Sequence, residues 1–302
     1  MPIRTASGRV LVPADVPGTV LAHEHLVVDL TRFGDPEARV SDDAAVAAEL
    51  AAARTEHGLG LVVDLTGRGM GGDRARARAI AERAGVEVVV ATGWYYERFH
   101  PGGEPGDSVV RATELLVDDI GSEVRPGVIG EIGSSGSASP AERVGLLASA
   151  GAALATGLSV ATHAHLGRGA LEQLDLLTSA GLPPHRICIG HQDLIDDQRQ
   201  HQAIAAAGAY VAFDTVGKAS YQPDEKRIEL LLALLAAGYA RHVLLSNDIS
   251  RDAYLTSRGG PGFGHVLGPF RAELATRGVD PPTLDLLYRA NPLRWLDGTE
   301  TP

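Results

Sequence analysis

The chain has 302 residues, 44% of them apolar, a formal net charge of −11 and one cysteine. No run reaches the roughly 18 uncharged apolar residues of a membrane span, and no basic region with a following apolar stretch opens the chain, so a soluble, non-secreted, cytoplasmic protein is expected. The acidic balance opposes phosphate backbones, and Cys188 in "RICIGH" has no second cysteine to pair with; nucleic-acid, membrane, disulfide and thiolate-cluster readings fall, leaving packing as the expected role of the thiol.

In chain order, "IRTASGRVLVPADVPG" predicts a small N-terminal hairpin covering one end of the fold. Eight β-rich runs follow, each closing on polar residues: "TVLAHEH", "LGLVVDLTG", "VEVVVATG", "GVIGEIG", "LSVATHAH", "RICIGHQD", "AYVAFDT" and "HVLLSNDIS". Between them the 3.6-residue periodicity predicts helices over 42–56, 73–84, 141–155, 169–179, 197–207, 223–237 and 268–277, and "RANPLRWLDGT" predicts a final helix and tail. Apolar strands joined by helical crossovers imply a parallel sheet buried on both faces. Eight such units without a long linker predict an α/β fold of the (β/α)8 TIM-barrel kind over a single domain, 1–302, with a doubly wound open sheet as the competing topology.

The carboxyl ends of barrel strands carry the active site in this architecture. Side chains alternate along a strand, so His23 and His25 in "LAHEHL" share one side while Glu24 points to the other. Strand 4 closes on Glu131, strand 5 on His163, strand 6 on His191 and strand 8 on Asp248. Four imidazoles and two carboxylates at one mouth suit zinc and its divalent neighbours, and a carboxylate can bridge two ions. Strands 1 and 8 are adjacent on closure, so His23, His25 and Asp248 are expected to hold a buried ion; His163 and His191 hold a more exposed one, and Glu131 bridges. Two divalent cations per chain are therefore expected, zinc first, with Mn2+, Co2+ or Fe2+ as alternatives.

"LAHEHL", "GEIG", "ATHAH", "CIGHQD", "LSNDISR" and "NPLRWL" together resemble the phosphotriesterase family of the amidohydrolase superfamily over nearly the whole chain. "FDTVGKASYQPDEKR" and "GEIGSSG" are more similar to the phosphotriesterase homology protein branch than to the pesticide-hydrolysing enzymes. The resemblance implies a (β/α)8 barrel, a binuclear divalent centre on the six residues named, and an assembly that in relatives is often a homodimer. Many relatives bridge their metals with a carboxylated lysine where this chain has Glu131. Where the pesticide hydrolases place a relay histidine and aspartate, this chain has Thr215 and Leu194.

The function expected is hydrolysis of a small ester, lactone, amide or phosphoester by a metal-bridging hydroxide, with Asp248 as both ligand and proton acceptor. The alternative is a metal-containing small-molecule binding protein of the same fold. Candidate substrate contacts are Tyr95, Lys218, Tyr221 and Arg251. Lys218 is one of only two lysines and could bind an anionic group or simply be solvated; Arg251 could do the same or pair with Asp252 or Asp224. His165 either faces the pocket or belongs to a loop, and the glycine-rich run 258–268 reads as a mobile substrate loop or a plain connection. "GRGMGG" lacks dinucleotide-loop spacing, "VGKAS" lacks the upstream glycine of a phosphate loop, and neither lysine ends a strand as a Schiff-base aldolase requires.

Overall fold

The computed structural model describes residues 2–300. All eight expected strands form: β1 (Thr19–Glu24), β2 (Leu59–Asp64), β3 (Glu87–Thr92), β4 (Val128–Ser134), β5 (Val160–Ala164), β6 (Ile187–Ile189), β7 (Tyr210–Phe213) and β8 (Val243–Leu245). Seven parallel ladders join them in chain order, giving a (β/α)8 TIM barrel. The expected hairpin pairs Ile3–Arg4 with Val10–Leu11.

Side chains alternate between two apolar compartments, as period two requires. Val20 and Ala22 of β1 point into the barrel with Val63, Val89, Ala161 and Cys188, while Leu21 and Val62 face the surrounding helices. Ile3, Leu11 and Val16 of the N-terminal segment and Trp295 of the last helix close the interior, and Trp295 donates its indole N–H to the Val160 carbonyl at 3.3 Å. Cys188 is buried there and desolvation raises its pKa well above the thiol range, which makes it a packing residue.

Helices α1 (Asp43–His57), α2 (Arg74–Ala84), α4 (Pro140–Thr156), α5 (Ala170–Ser179), α6 (Gln198–Ala206) and α7 (Asp224–Ala236) lie where the periodicity puts them. Helix α3 (Val109–Ile120) was not anticipated, yet its signals are present: Ser108 caps the Arg111 N–H, and Ala112, Leu116 and Ile120 form a buried stripe at four-residue spacing. Of the two readings of 258–268, the structure bears out the plain connection. It folds away from the mouth, held by Asn247 Nδ2 donating to the Phe263 carbonyl and by the Val266 N–H donating to Asn247 Oδ1. Glu49 on α1 accepts from the Thr256 N–H at 2.6 Å just ahead of it. The run is an anchored connection and lines no part of the cavity at the mouth.

Between β8 and β1 the ring is closed by side chains as much as by backbone. Glu24, fully buried and pointing away from the histidines beside it, accepts from Ser246 Oγ, Asn247 N, Asn247 Nδ2 and Ile249 N at 2.8–2.9 Å. The Asp248 N–H donates to the His23 carbonyl at 3.1 Å, and the His23 N–H to Ser246 Oγ at 2.9 Å. This seam sets β1 and the segment after β8 side by side, which places Asp248 opposite His23 and His25.

Candidate metal centre

The six strand-end residues converge at the carboxyl mouth, and all are buried. His25 Nε2 lies 3.2 Å from Asp248 Oδ1 and 3.6 Å from Glu131 Oε1. His23 Nε2 lies 3.5 Å from Glu131 Oε2 and 4.0 Å from Asp248 Oδ1. His163 Nδ1 lies 3.2 Å, and His191 Nε2 3.5 Å, from Glu131 Oε2. Among the described residues three donor groups result: His23–His25–Asp248 and Glu131–His163–His191, with Glu131 between them, and His23–His191–Asp214, in which the Asp214 carboxylate already accepts from both imidazoles. Such donors suit a divalent cation. An independent sign is that His23 Nε2 is buried with no hydrogen-bond partner, a costly condition for a polar atom that an ion would relieve.

Two of the six residues adopt backbone conformations that L-residues rarely take: His191 at φ 57° and Asp248 at φ 51°. Such conformations cost on the order of 1–3 kcal/mol each and persist where surroundings enforce them. At His191 the enforcement is visible. Gly190 lets β6 pass so close to β5 that a Cβ would sit 2.2 Å from the Thr162 carbonyl oxygen, and the His191 N–H is tied to Asp214 Oδ1 at 2.9 Å.

Asp214, at the end of β7, was overlooked in the sequence although it is central here. Its Oδ2 accepts from His23 Nδ1 at 2.7 Å and its Oδ1 from His191 Nδ1 at 2.9 Å, so one carboxylate turns the Nε2 atoms of both donor groups inward. It is buttressed by Asp193, which accepts from the Asp214 N–H, from Thr215 Oγ1 at 2.5 Å and from Arg227 Nε at 2.6 Å. Thr215 is thereby committed to a buried structural network, and Leu194 lines the cavity wall. His25 Nδ1 is held by Thr66 Oγ1 at 2.9 Å, and Asp64 accepts from the Thr66 N–H.

Charge is balanced within this cluster. Burial opposes an imidazolium at His23, but the Asp214 and Glu131 carboxylates outweigh it and raise its pKa to about 9; His191 is likewise raised well above 6.5 against burial, mainly by Asp214. Burial lowers His163 to about 4, Glu131 only partly opposing it. Burial would raise the three carboxylates, yet the surrounding imidazoles, and Lys218 at Asp248, hold Asp214, Glu131 and Asp248 below their usual range. Protonated His23 and His191 with Lys218 thus face three carboxylates.

A cavity of about 250 Å³ opens on the centre. Lys218 is buried, not solvated: its Nζ donates to Asp248 Oδ2 at 2.5 Å and to Ser250 Oγ at 3.2 Å, and lies 5.0 Å from the Tyr254 ring centroid. Burial would lower its pKa, but Asp248 raises it, so the ammonium persists. Arg251 lines the cavity and pairs with Asp35 at 2.6 Å, rather than with Asp252 or Asp224. Tyr95 packs edge-on against His163 at 4.5 Å, and Tyr221 stands half exposed at the rim. His165 does face the cavity.

A parallel eight-stranded barrel whose carboxyl mouth gathers imidazoles and carboxylates around a substrate-sized cavity has the architecture of a barrel enzyme with a candidate metal centre. Residues 1–296 match the Phosphotriesterase family, to which the chain belongs. It is 36% identical over 285 residues to the phosphotriesterase homology protein of Escherichia coli (strain K12), covering 92% of this chain and 97% of that one. A crystal structure of the E. coli phosphotriesterase homology protein complexed with phosphate in its active site superposes with a TM-score of 0.89, covering 92% of this chain and 98% of that chain. The N-acetyltaurine hydrolase of Rattus norvegicus is 31% identical over 256 residues, 79% of this chain and 73% of its own length. A mutant of a PTE-like lactonase from Deinococcus radiodurans is 29% identical with a TM-score of 0.85, covering 97% of this chain and 99% of that chain. The chain is a hydrolytic enzyme. Among the described residues no helix is long and apolar enough to cross a membrane.

Proposed function

We propose that the chain is a binuclear metal-dependent hydrolase of a small ester, lactone, amide or phosphoester that carries an anionic group. The observation that supports it most is the pairing of two three-residue donor groups about a shared Glu131, with His23 Nε2 left without any other partner. His23, His25 and Asp248 would hold the inner ion, His163 and His191 the outer one, and Glu131 would bridge. When bound, two such ions lower the pKa of a water shared between them and polarise the scissile oxygen.

The chain's own groups supply the rest. Asp248 Oδ1 faces the centre while Oδ2 is held by Lys218, so the carboxylate is oriented to take the proton of the attacking water and pass it toward the leaving group. Desolvation and the nearby Glu131 raise the Tyr95 hydroxyl well above the phenol range, so it remains a donor for a carbonyl or phosphoryl oxygen. Lys218 and Arg251 line the cavity wall, where an anionic substrate group would meet them. Phosphate in the active site of the E. coli relative supports the same reading.

The test is a hydrolysis screen with zinc- or manganese-loaded protein across esters, lactones, N-acyl amides and phosphoesters, each offered as matched anionic and neutral forms. Turnover should favour the anionic member, and Lys218→Gln should remove that preference. No turnover in any class with both ions bound would overturn the proposal.

A further inference from the structure

We infer that His165 is a positioning residue for His163 and through it governs retention of the outer ion; this rests on the binuclear reading above. An imidazole that ligates through one nitrogen needs its other N–H held, which fixes both tautomer and ring orientation. Three of the four candidate imidazole ligands are served by oxygen atoms: His23 and His191 by Asp214, and His25 by Thr66. His163 is turned the other way. Its Nδ1 faces the centre, 3.2 Å from Glu131 Oε2 and 2.7 Å from His191 Nε2, so the ring hydrogen must sit on Nε2. The atom that Nε2 meets is His165 Nδ1, at 3.4 Å.

Local structure holds the second ring in place. Tyr96 stacks nearly parallel on His163, 5.3 Å between centroids and 15° between planes, and packs at 5.3 Å against His165 as well. Just past His165 the chain reverses through Leu166 at φ 53° and Gly167 at φ 76°. Gly167 packs so tightly on Ile195 that a Cβ there would approach the Ile195 Cβ to 2.7 Å. His165 is therefore returned over His163 by a turn with little room to relax. A neutral imidazole at 3.4 Å is a weaker partner than the Asp214 carboxylate at 2.7–2.9 Å, so His163 is the least firmly held of the four rings. The outer ion is then the labile one, and its affinity responds to His165.

The experiment is a stepwise Zn2+ titration against a chromophoric chelator, with elemental analysis, on wild type, His165→Ala, His165→Phe and His165→Asn. Wild type should show a tight and a weaker step. Alanine and phenylalanine should weaken only the weaker step, by about 10–100-fold, the usual cost of losing such a partner. Asparagine, which restores an acceptor oxygen, should recover much of it. An unchanged weaker step in His165→Ala, or rescue by phenylalanine in place of asparagine, would overturn the inference while leaving the binuclear reading intact. A single step in wild type would overturn the binuclear reading and this inference with it.

Discussion

Replacing Asp214 should loosen both ions at once, although neither donor group needs it as a ligand. Its two oxygens accept from His23 Nδ1 at 2.7 Å and His191 Nδ1 at 2.9 Å, and Oδ1 also takes the His191 N–H. In Asp214→Asn one oxygen becomes an NH2, so one imidazole N–H meets a donor where it had an acceptor. Hydrogen bonds to a charged group contribute about 1.5–3 kcal/mol each, and a buried donor left unsatisfied costs about 1–3 kcal/mol. Loss of a partner behind a ligating histidine typically weakens metal affinity by about 10–100-fold. Because His23 belongs to the inner group and His191 to the outer, Asp214→Ala should weaken both steps by about that factor, whereas Thr66→Val, behind His25 alone, should weaken only the inner one. Chelator competition on both variants reads this directly, with circular dichroism as the check on folding. An Asp214→Ala protein that folds and retains either ion with wild-type affinity would refute the reasoning.

Glu131 and Asp248 are assigned different work and should fail differently. Glu131→Gln should lose metal and activity together, while Asp248→Asn should retain most of its metal but lose turnover by about 10²–10⁴-fold, both measured on the same preparations. The pH dependence has a definite sign. His23 is raised from 6.5 to about 9, so in metal-free protein its contribution, on the order of 3 kcal/mol, is full below pH 6.5 and is lost as pH rises through 9. Zinc must displace that proton, so apparent metal affinity should rise over the same interval; melting curves with and without EDTA from pH 6 to 9.5 should diverge, and parallel curves would contradict the assignment. At the seam, Glu24→Gln exchanges one acceptor oxygen for a donor against Ile249 N or the Ser246–Asn247 donors. It should lower the melting temperature by several degrees, at about 1–3 kcal/mol for each donor left unsatisfied; an unchanged melting temperature would show that the seam does not depend on it.

What the sequence disclosed follows from where the information sits. Strand-end residues such as His23, His25 and Glu131 could be read because each closes a barrel strand at the carboxyl mouth; strict alternation does not place them, since β1 is irregular between Leu21 and Glu24 and β4 between Ile129 and Ile132. Helix α3 escaped because glycines and prolines between Pro101 and Asp107 mask the cap at Ser108, although the apolar stripe behind it is regular. Asp214 gave no local signal: its work lies with two histidines 191 and 23 residues away, and only closure of the barrel brings them to one carboxylate. Composition alone leaves 258–268 open between a substrate loop and a connection for the same reason, since the groups that anchor this region, Glu49 and Asn247, lie outside the run. The pairing of Arg251 with Asp35 across 216 residues is equally invisible to local reading.

The seam between β1 and β8 also makes the two donor groups unequal in how much of the chain each must span. Glu131, His163 and His191 lie on consecutive strands and meet across sequence separations of only 32 and 28 residues, so the loops that join them cost little to close. The inner group reaches across nearly the whole chain. His23 and His25 need Asp248, and the Glu24 clasp that seats it spans 222 to 225 residues. The inner seat therefore exists only in a finished barrel, and a tightly held inner ion would report that both ends of the polypeptide have met.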